Sequence, residues 1–173
     1  MGPNKAVNVL PWSSAEQRIM SIKAHRGGII PFFEGNKRLY CLGVDRKFGE
    51  LTDFGGGISY IRDGGPLQGA LREFHEETLG AFQNLLDIDQ LPQCMCVFNR
   101  SMFIILVPLK RDVSLNDIER RFISLVSPET EISGLVWLDT RGLRSVIYGA
   151  DRAIFNRVKK ILYNSHVLNM ITQ

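Results

Sequence analysis

The chain has 173 residues, 45% hydrophobic and 23% charged, with 21 Lys and Arg against 18 Asp and Glu for a net charge of +3. This balance excludes a disordered chain and supports a packed core. The longest apolar run, residues 102–109 (MFIILVPL), falls well short of the roughly 20 residues of a membrane-spanning helix. No membrane span is expected, and the mild cationic excess favours an anionic ligand without establishing nucleic-acid binding.

In chain order, residues 1–20 read as a polar N-terminal extension carrying Pro3 and Pro11, with a short helix from Ser13 or Ser14. A single domain over 21–173 follows. The opening residues lack a long apolar stretch and a small-residue cleavage site, and Ala6 breaks the Met-Gly myristoylation pattern. An intracellular protein, cytoplasmic or nuclear and not secreted, is therefore expected. Strands are predicted over 25–33 and 38–44, joined by the turn residues Glu34-Gly35-Asn36-Lys37. Glycines crowd 55–69, and Pro66 stands where a first helical turn accepts it, ahead of a helix over 67–80. Strands over 93–98 and 101–109 flank a turn at Asn99-Arg100. An amphipathic helix over 114–126 with Ser114 as N-cap, a short strand over 134–138 and an amphipathic helix over 151–165 complete the chain. Strands and helices mingle without strict βαβ alternation, which predicts an α+β, layered α/β/α domain. Cys94 and Cys96 share one face of a strand, and with Cys41 they read as buried reduced thiols.

The helix over 67–80 carries the chemistry. At 100° per residue, Glu73, Glu76 and Glu77 fall within about 100° of one another, while Leu67, Leu71, Phe74 and Thr78 form a separate stripe about 120° away. The apolar stripe would face the core and the carboxylates one common place. Like charges at this spacing repel unless a cation sits among them. Clustered carboxylates suit hard divalent cations such as Mg²⁺. Arg72 directly precedes the acidic group, and the upstream triple glycine 55–57 lets backbone approach a ligand closely.

The run Arg72-Glu73-Phe74-His75-Glu76-Glu77, preceded by Gly-Gly, resembles the box of the Nudix family, G-x5-E-x7-R-E-U-x-E-E-x-G-U with U a bulky apolar residue. The flanking elements agree in order, including a Trp137-bearing strand before a C-terminal helix, so the resemblance spans 22–165. It departs from the pattern at three places. The spacing from Gly57 to Arg72 is one residue longer, Gly64 stands where the first box Glu belongs with Asp63 beside it as a substitute, and Leu79 takes the last Gly position ahead of Gly80.

The resemblance implies a Nudix-like α/β/α sandwich with a mixed β-sheet, and hydrolysis of the pyrophosphate bond in a nucleoside diphosphate linked to another group, with Mg²⁺ or Mn²⁺. It implies Glu76 and Glu77 as metal ligands, Glu73 as ligand or base, the carbonyl of Gly56 or Gly57 as backbone ligand, and Arg72 as orienting residue. A further base is expected on the loop before the Trp strand, Glu131 first and Glu129 second. His75 occupies a variable slot and reads as a surface histidine. The aromatics Phe32, Phe33, Tyr40, Phe48, Phe54 and Tyr60 read mostly as core. The partner expected is a nucleotide-type pyrophosphate. Two alternatives stand beside it: an enzyme decapping mRNA or small RNA, for which the basic Arg152, Arg157, Lys159 and Lys160 would grip the RNA, and a non-catalytic nucleotide- or RNA-binding module of the same fold.

Overall fold

Side-chain alternation through residues 102–108 sets the architecture. Phe103, Ile105 and Val107 enter one buried cluster, while Met102, Ile104 and Leu106 enter another on the opposite side. A strand that is apolar on both faces requires a sheet covered by helices on both sides.

The computed structural model describes residues 6–149 and 152–170. In chain order its elements are β1 (Asn8–Pro11), α1 (Trp12–Ile22), β2 (Arg26–Glu34), β3 (Arg38–Asp45), β4 (Leu51–Thr52), β5 (Phe54–Gly57), α2 (Pro66–Glu77), a 3₁₀ helix (Ile88–Gln93), β6 (Met95–Phe98), β7 (Met102–Pro108), α3 (Leu115–Leu125), β8 (Ile132–Asp139), α4 (Thr140–Tyr148), α5 (Asn156–Ser165) and α6 (Val167–Met170). The strands run β1-β6-β7-β2-β3-β4 across the sheet, with β5 paired to β2 and β8 to β3. β2 and β7 are parallel from Arg26↔Met102 to Phe32↔Pro108, and the other named pairings are antiparallel. The sheet is therefore mixed, as expected.

On one face, Trp12, Ala15 and Ile19 of α1, Ala70 and Phe74 of α2, and Ile118 and Phe122 of α3 pack with Ile29, Cys41 and Phe54 of the sheet. On the other, Leu143, Val146 and Ile147 of α4 and Val158, Ile161 and Leu162 of α5 pack on Ile30, Tyr40 and Leu42. Cys41, Cys94 and Cys96 are buried and free, and burial pushes their thiols up, that of Cys94 to about 12. Among the described residues no helix is long and apolar enough to cross a membrane.

Two expectations are corrected. Residues 8–20 do not stand outside the domain: β1 pairs β6 from Asn8↔Phe98 to Pro11↔Met95, and α1 is part of the main core. Pro11 is tolerated because it ends an outermost strand, and Trp12 N–H next to it bonds to the Cys94 carbonyl at 2.8 Å. Residues 1–5 lie outside the described residues. The expected helix over 151–165 begins only at Asn156, with Asp151 outside the described residues, and a separate helix, α4, precedes it.

The placement of α1 makes a testable difference. Ile19 is fully buried, so Ile19→Ala should cost about 2–5 kcal/mol in urea unfolding. A peripheral helix would respond within about 0.5 kcal/mol.

Candidate active site

The site begins with backbone meeting backbone. β5 lies antiparallel to β2 with Gly56 opposite Gly27 and Gly55 opposite Gly28. The missing side chains leave room for carboxylates: a Cβ on Gly28 would stand 1.9 Å from Asp53 Oδ2, and one on Gly56 would stand 2.5 Å from Glu73 Oε2. Asp53, wholly buried, takes a two-pronged bond from Arg26, Nη1 to Oδ2 at 2.9 Å and Nη2 to Oδ1 at 2.6 Å. Burial opposes the Arg26 cation, but Asp53 more than offsets this and holds its pKa above the usual value. The pair underlies the glycine strand directly.

α2 starts at Pro66 in the first helical position and presses Phe74 edge-on against Phe54 at 5.7 Å between ring centroids. The opposite side presents Arg72, whose guanidinium serves several partners. Its Nε and Nη2 donate to the two oxygens of Asp63 at 2.6 and 3.0 Å, Nη2 also reaches the Gly57 carbonyl at 3.1 Å, and Nη1 donates to Glu73 at 3.2 Å and Glu76 at 3.3 Å. Asp63 is itself fixed by the Ser59 N–H at 2.8 Å. These bonds, Arg72 first and Ser59 next, hold the Asp63 carboxyl down at about 2. Asp63 thus braces Arg72 from the connection between β5 and α2. The helix closes at Glu77, and after the cap residue Thr78 comes a left-handed pair, Leu79 at φ 58° and Gly80 at φ 74°, whose N–H groups bond to the Glu76 and His75 carbonyls. The helix expected over 67–80 therefore stops at Glu77, with residues 78–80 forming its cap.

Glu77 differs from its neighbours. Its Oε1 accepts the Gly55 N–H at 2.7 Å. Burial, with the nearby charge of Asp53, pushes its carboxyl up to about 8. Glu77 lines a cleft of about 660 Å³ with Glu129 and Glu131, whereas Gly57, Asp63, Arg72, Glu73 and Glu76 line a second hollow of about 470 Å³. The helix-face carboxylates thus border two different hollows, and among the described residues no three acidic, His or Cys side chains converge as a ready-made metal cage. The donors are nonetheless all oxygens of the kind that hard divalent cations take, with Glu73 lying against the Gly56 backbone. In kind, they fit Mg²⁺ or Mn²⁺.

Glu131 and Glu129 sit exposed on the loop before β8, and Arg46 ties that loop down. Its Nε donates to the Thr130 carbonyl and Nη2 to the Ser127 carbonyl, both at 2.7 Å, while its backbone N–H bonds to the Glu131 carbonyl at 2.8 Å. The Glu131 charge raises the pKa of Glu77, so the two carboxylates share a field. His75 is not a plain surface residue: its ring packs against Phe74 at 5.3 Å, its buried Nδ1 has no hydrogen-bond partner among the described residues, and burial lowers its pKa. Phe48, Phe155, Arg26 and Lys47 also line the larger cleft. Phe48, expected among the core aromatics, is exposed instead, and of these four residues only Arg26 had a signal in the sequence, Arg26-Gly27-Gly28 set against Asp53-Phe54-Gly55. Arg157, Lys159 and Lys160 face a separate cavity of about 660 Å³ lined by no carboxylate among the described residues.

No family model and no curated protein matches the chain. Among solved structures, an Ap4A hydrolase from C. elegans in a binary complex aligns over 85% of this chain and 95% of that chain, with a TM-score of 0.54 and 14% identity. The Nudix hydrolase RenU from M. smegmatis aligns over 86% and 85%, with a TM-score of 0.49 and 12% identity. The chain has a Nudix-like α+β fold.

The Asp63 brace carries a pH signature. A carboxyl held at about 2 when folded, against about 3.9 unfolded, stabilises the fold fully above pH 4 and loses that contribution as pH falls toward 2. Asp63→Asn should therefore lower the urea midpoint at pH 7, with the gap to wild type shrinking to roughly half by pH 3. A gap that stays constant between pH 7 and pH 3 would contradict the brace.

Proposed function

We propose that this chain is a metal-dependent hydrolase of the pyrophosphate bond in nucleoside diphosphates linked to another group. One observation carries the reading. Arg72 is clamped by Asp63 on one edge and gathers Glu73, Glu76 and the Gly57 carbonyl on the others. A merely solvated acidic face has no use for such a brace, and a binding module has no use for a repelling triplet. The fold it shares with the C. elegans Ap4A hydrolase is compatible with this chemistry.

Glu73, Glu76 and Glu77, with the Gly56 or Gly57 carbonyl, would hold Mg²⁺ or Mn²⁺. The ion, when bound, neutralises phosphate charge and acidifies a water. Glu131, with Glu129 as second candidate, would accept the proton of the attacking water; both line the cleft that Glu77 also lines, which supports this role. Arg72 orients carboxylates and Arg46 holds the loop that bears the base.

Glu77→Gln keeps shape and removes charge. Turnover should fall by at least about a hundredfold on the substrate found in a Mg²⁺ panel of nucleoside di- and triphosphates, dinucleoside polyphosphates, nucleotide sugars and capped RNA. The metal-free melting temperature should hold or rise, because the amide keeps an acceptor for the Gly55 N–H and removes the cost of a buried ionisable carboxyl, and the upward shift caused by Mg²⁺ should shrink. Wild-type turnover with a full Mg²⁺ shift would sink the assignment.

A second reading extends the substrate to capped RNA, supported by the carboxylate-free cavity that Arg157, Lys159 and Lys160 line. Charge reversal at Lys159 and Lys160 should weaken capped-RNA binding and flatten its salt dependence by about 0.7 per lost contact. Cleavage of a free cap dinucleotide should be unchanged. Equal RNA binding by mutant and wild type would remove this reading.

A further inference from the structure

Phe48 is 68% exposed and lines the cleft that also holds Glu77 and Glu131. An aromatic ring left in water at the mouth of a polar cleft is unexplained by the fold, since neither core cluster includes it. The turn that presents it is nevertheless firmly made. Phe48 N–H donates to Asp45 Oδ1 at 2.5 Å, and Gly49, at φ 68°, donates to the Asp45 carbonyl at 2.8 Å. Arg46 pins the same turn to the Ser127–Thr130 segment from the other side. The ring is thus held out in advance.

Its surroundings suit one kind of ligand. Lys47 Nζ stands 5.2 Å from the Phe48 ring centroid, and Phe155, half-buried under the Arg26 guanidinium at 5.7 Å, supplies a second aromatic surface on the same cleft. Glu50, half-exposed, also lines the cleft. An exposed aromatic ring with a cation over one face and a carboxylate on the same cleft match a group with a flat apolar face, N–H donors at its edge and attached phosphate. We infer that Phe48 is the stacking platform for a purine nucleobase, and so a specificity-determining residue of this cleft. The inference rests on the hydrolase reading for where the phosphates go, but not for the base site itself.

Phe48→Trp turns the platform into a reporter. Titrated with AMP or GMP in Mg²⁺ buffer, its fluorescence should be quenched saturably, whereas ribose 5-phosphate should leave it unchanged and UMP should quench more weakly. Wild type, whose indoles are buried Trp12 and the Glu119-bonded Trp137, provides the baseline. In hydrolysis of diadenosine tetraphosphate, Phe48→Ala should raise KM about tenfold or more, within the range of a lost base–aromatic stack. Its kcat should stay within twofold, and Phe48→Tyr should restore KM. Equal response to AMP and ribose 5-phosphate would overturn the inference, as would an unchanged KM in Phe48→Ala. A fall in sedimentation mass of Phe48→Ala without loss of nucleotide binding would also overturn it, by assigning the ring to a contact with a second copy. Saturable quenching by AMP in a protein that hydrolyses nothing would uphold the base site while removing the hydrolase reading. Hydrolysis with KM indifferent to Phe48 would do the reverse.

Discussion

The Arg72 guanidinium is the joint on which the site depends. One edge is bonded bidentately to Asp63, a geometry that charge-assisted forks favour, and the remaining donors reach Glu73, Glu76 and the Gly57 carbonyl. These partners come from three places: the connection after β5, the end of β5, and α2 itself. Without the cation the three glutamates would repel by a few tenths of a kcal/mol per pair. That is small beside the burial of Phe74, whose truncation would cost about 3–5 kcal/mol. Packing therefore holds the helix in place, and the guanidinium sets where its carboxylates point. A divalent cation would add to a site that already stands rather than create one.

The second constraint lies beneath. Glycine faces glycine between β2 and β5, so two carboxylates rest on bare backbone where side chains would otherwise stand. Asp53 is tolerable there only because Arg26 meets both of its oxygens. Removing one partner of such a buried pair leaves an uncompensated charge, typically costing about 3–5 kcal/mol. The pair sits close enough for Arg26 to feel the charges of Glu77 and Glu73. Structural support and candidate chemistry thus share one electrostatic neighbourhood, with Gly55 N–H donating to Glu77 at its centre.

Much of this was legible in the chain. The α2 stripe, its glutamate face and the long apolar strands follow from periodicity, and Asp63 was visible as a candidate brace beside the missing glutamate. The rest escaped for physical reasons. Phe54–Gly57 has no side-chain alternation, so a strand made almost wholly of glycine reads as loop. Asn8–Pro11 carries a proline, which reads as periphery until its outermost place in the sheet is known. Leu143, Val146 and Ile147 do form a helical i, i+3, i+4 stripe, and α4 could have been found from it. Phe48 and Phe155 could not. They are about a hundred residues apart in sequence, and only the tertiary fold brings them to one cleft.

The central claim is that the α2 carboxylates, Glu73 and Glu76 held by Arg72 and Glu77 held by the Gly55 N–H, bind a divalent cation. Anomalous diffraction from crystals of the protein grown with Mn²⁺ tests it most directly. The account predicts a peak coordinated by Glu77 and by at least one of Glu73 and Glu76. A Mn²⁺ peak away from these residues, or none at millimolar Mn²⁺, would contradict it.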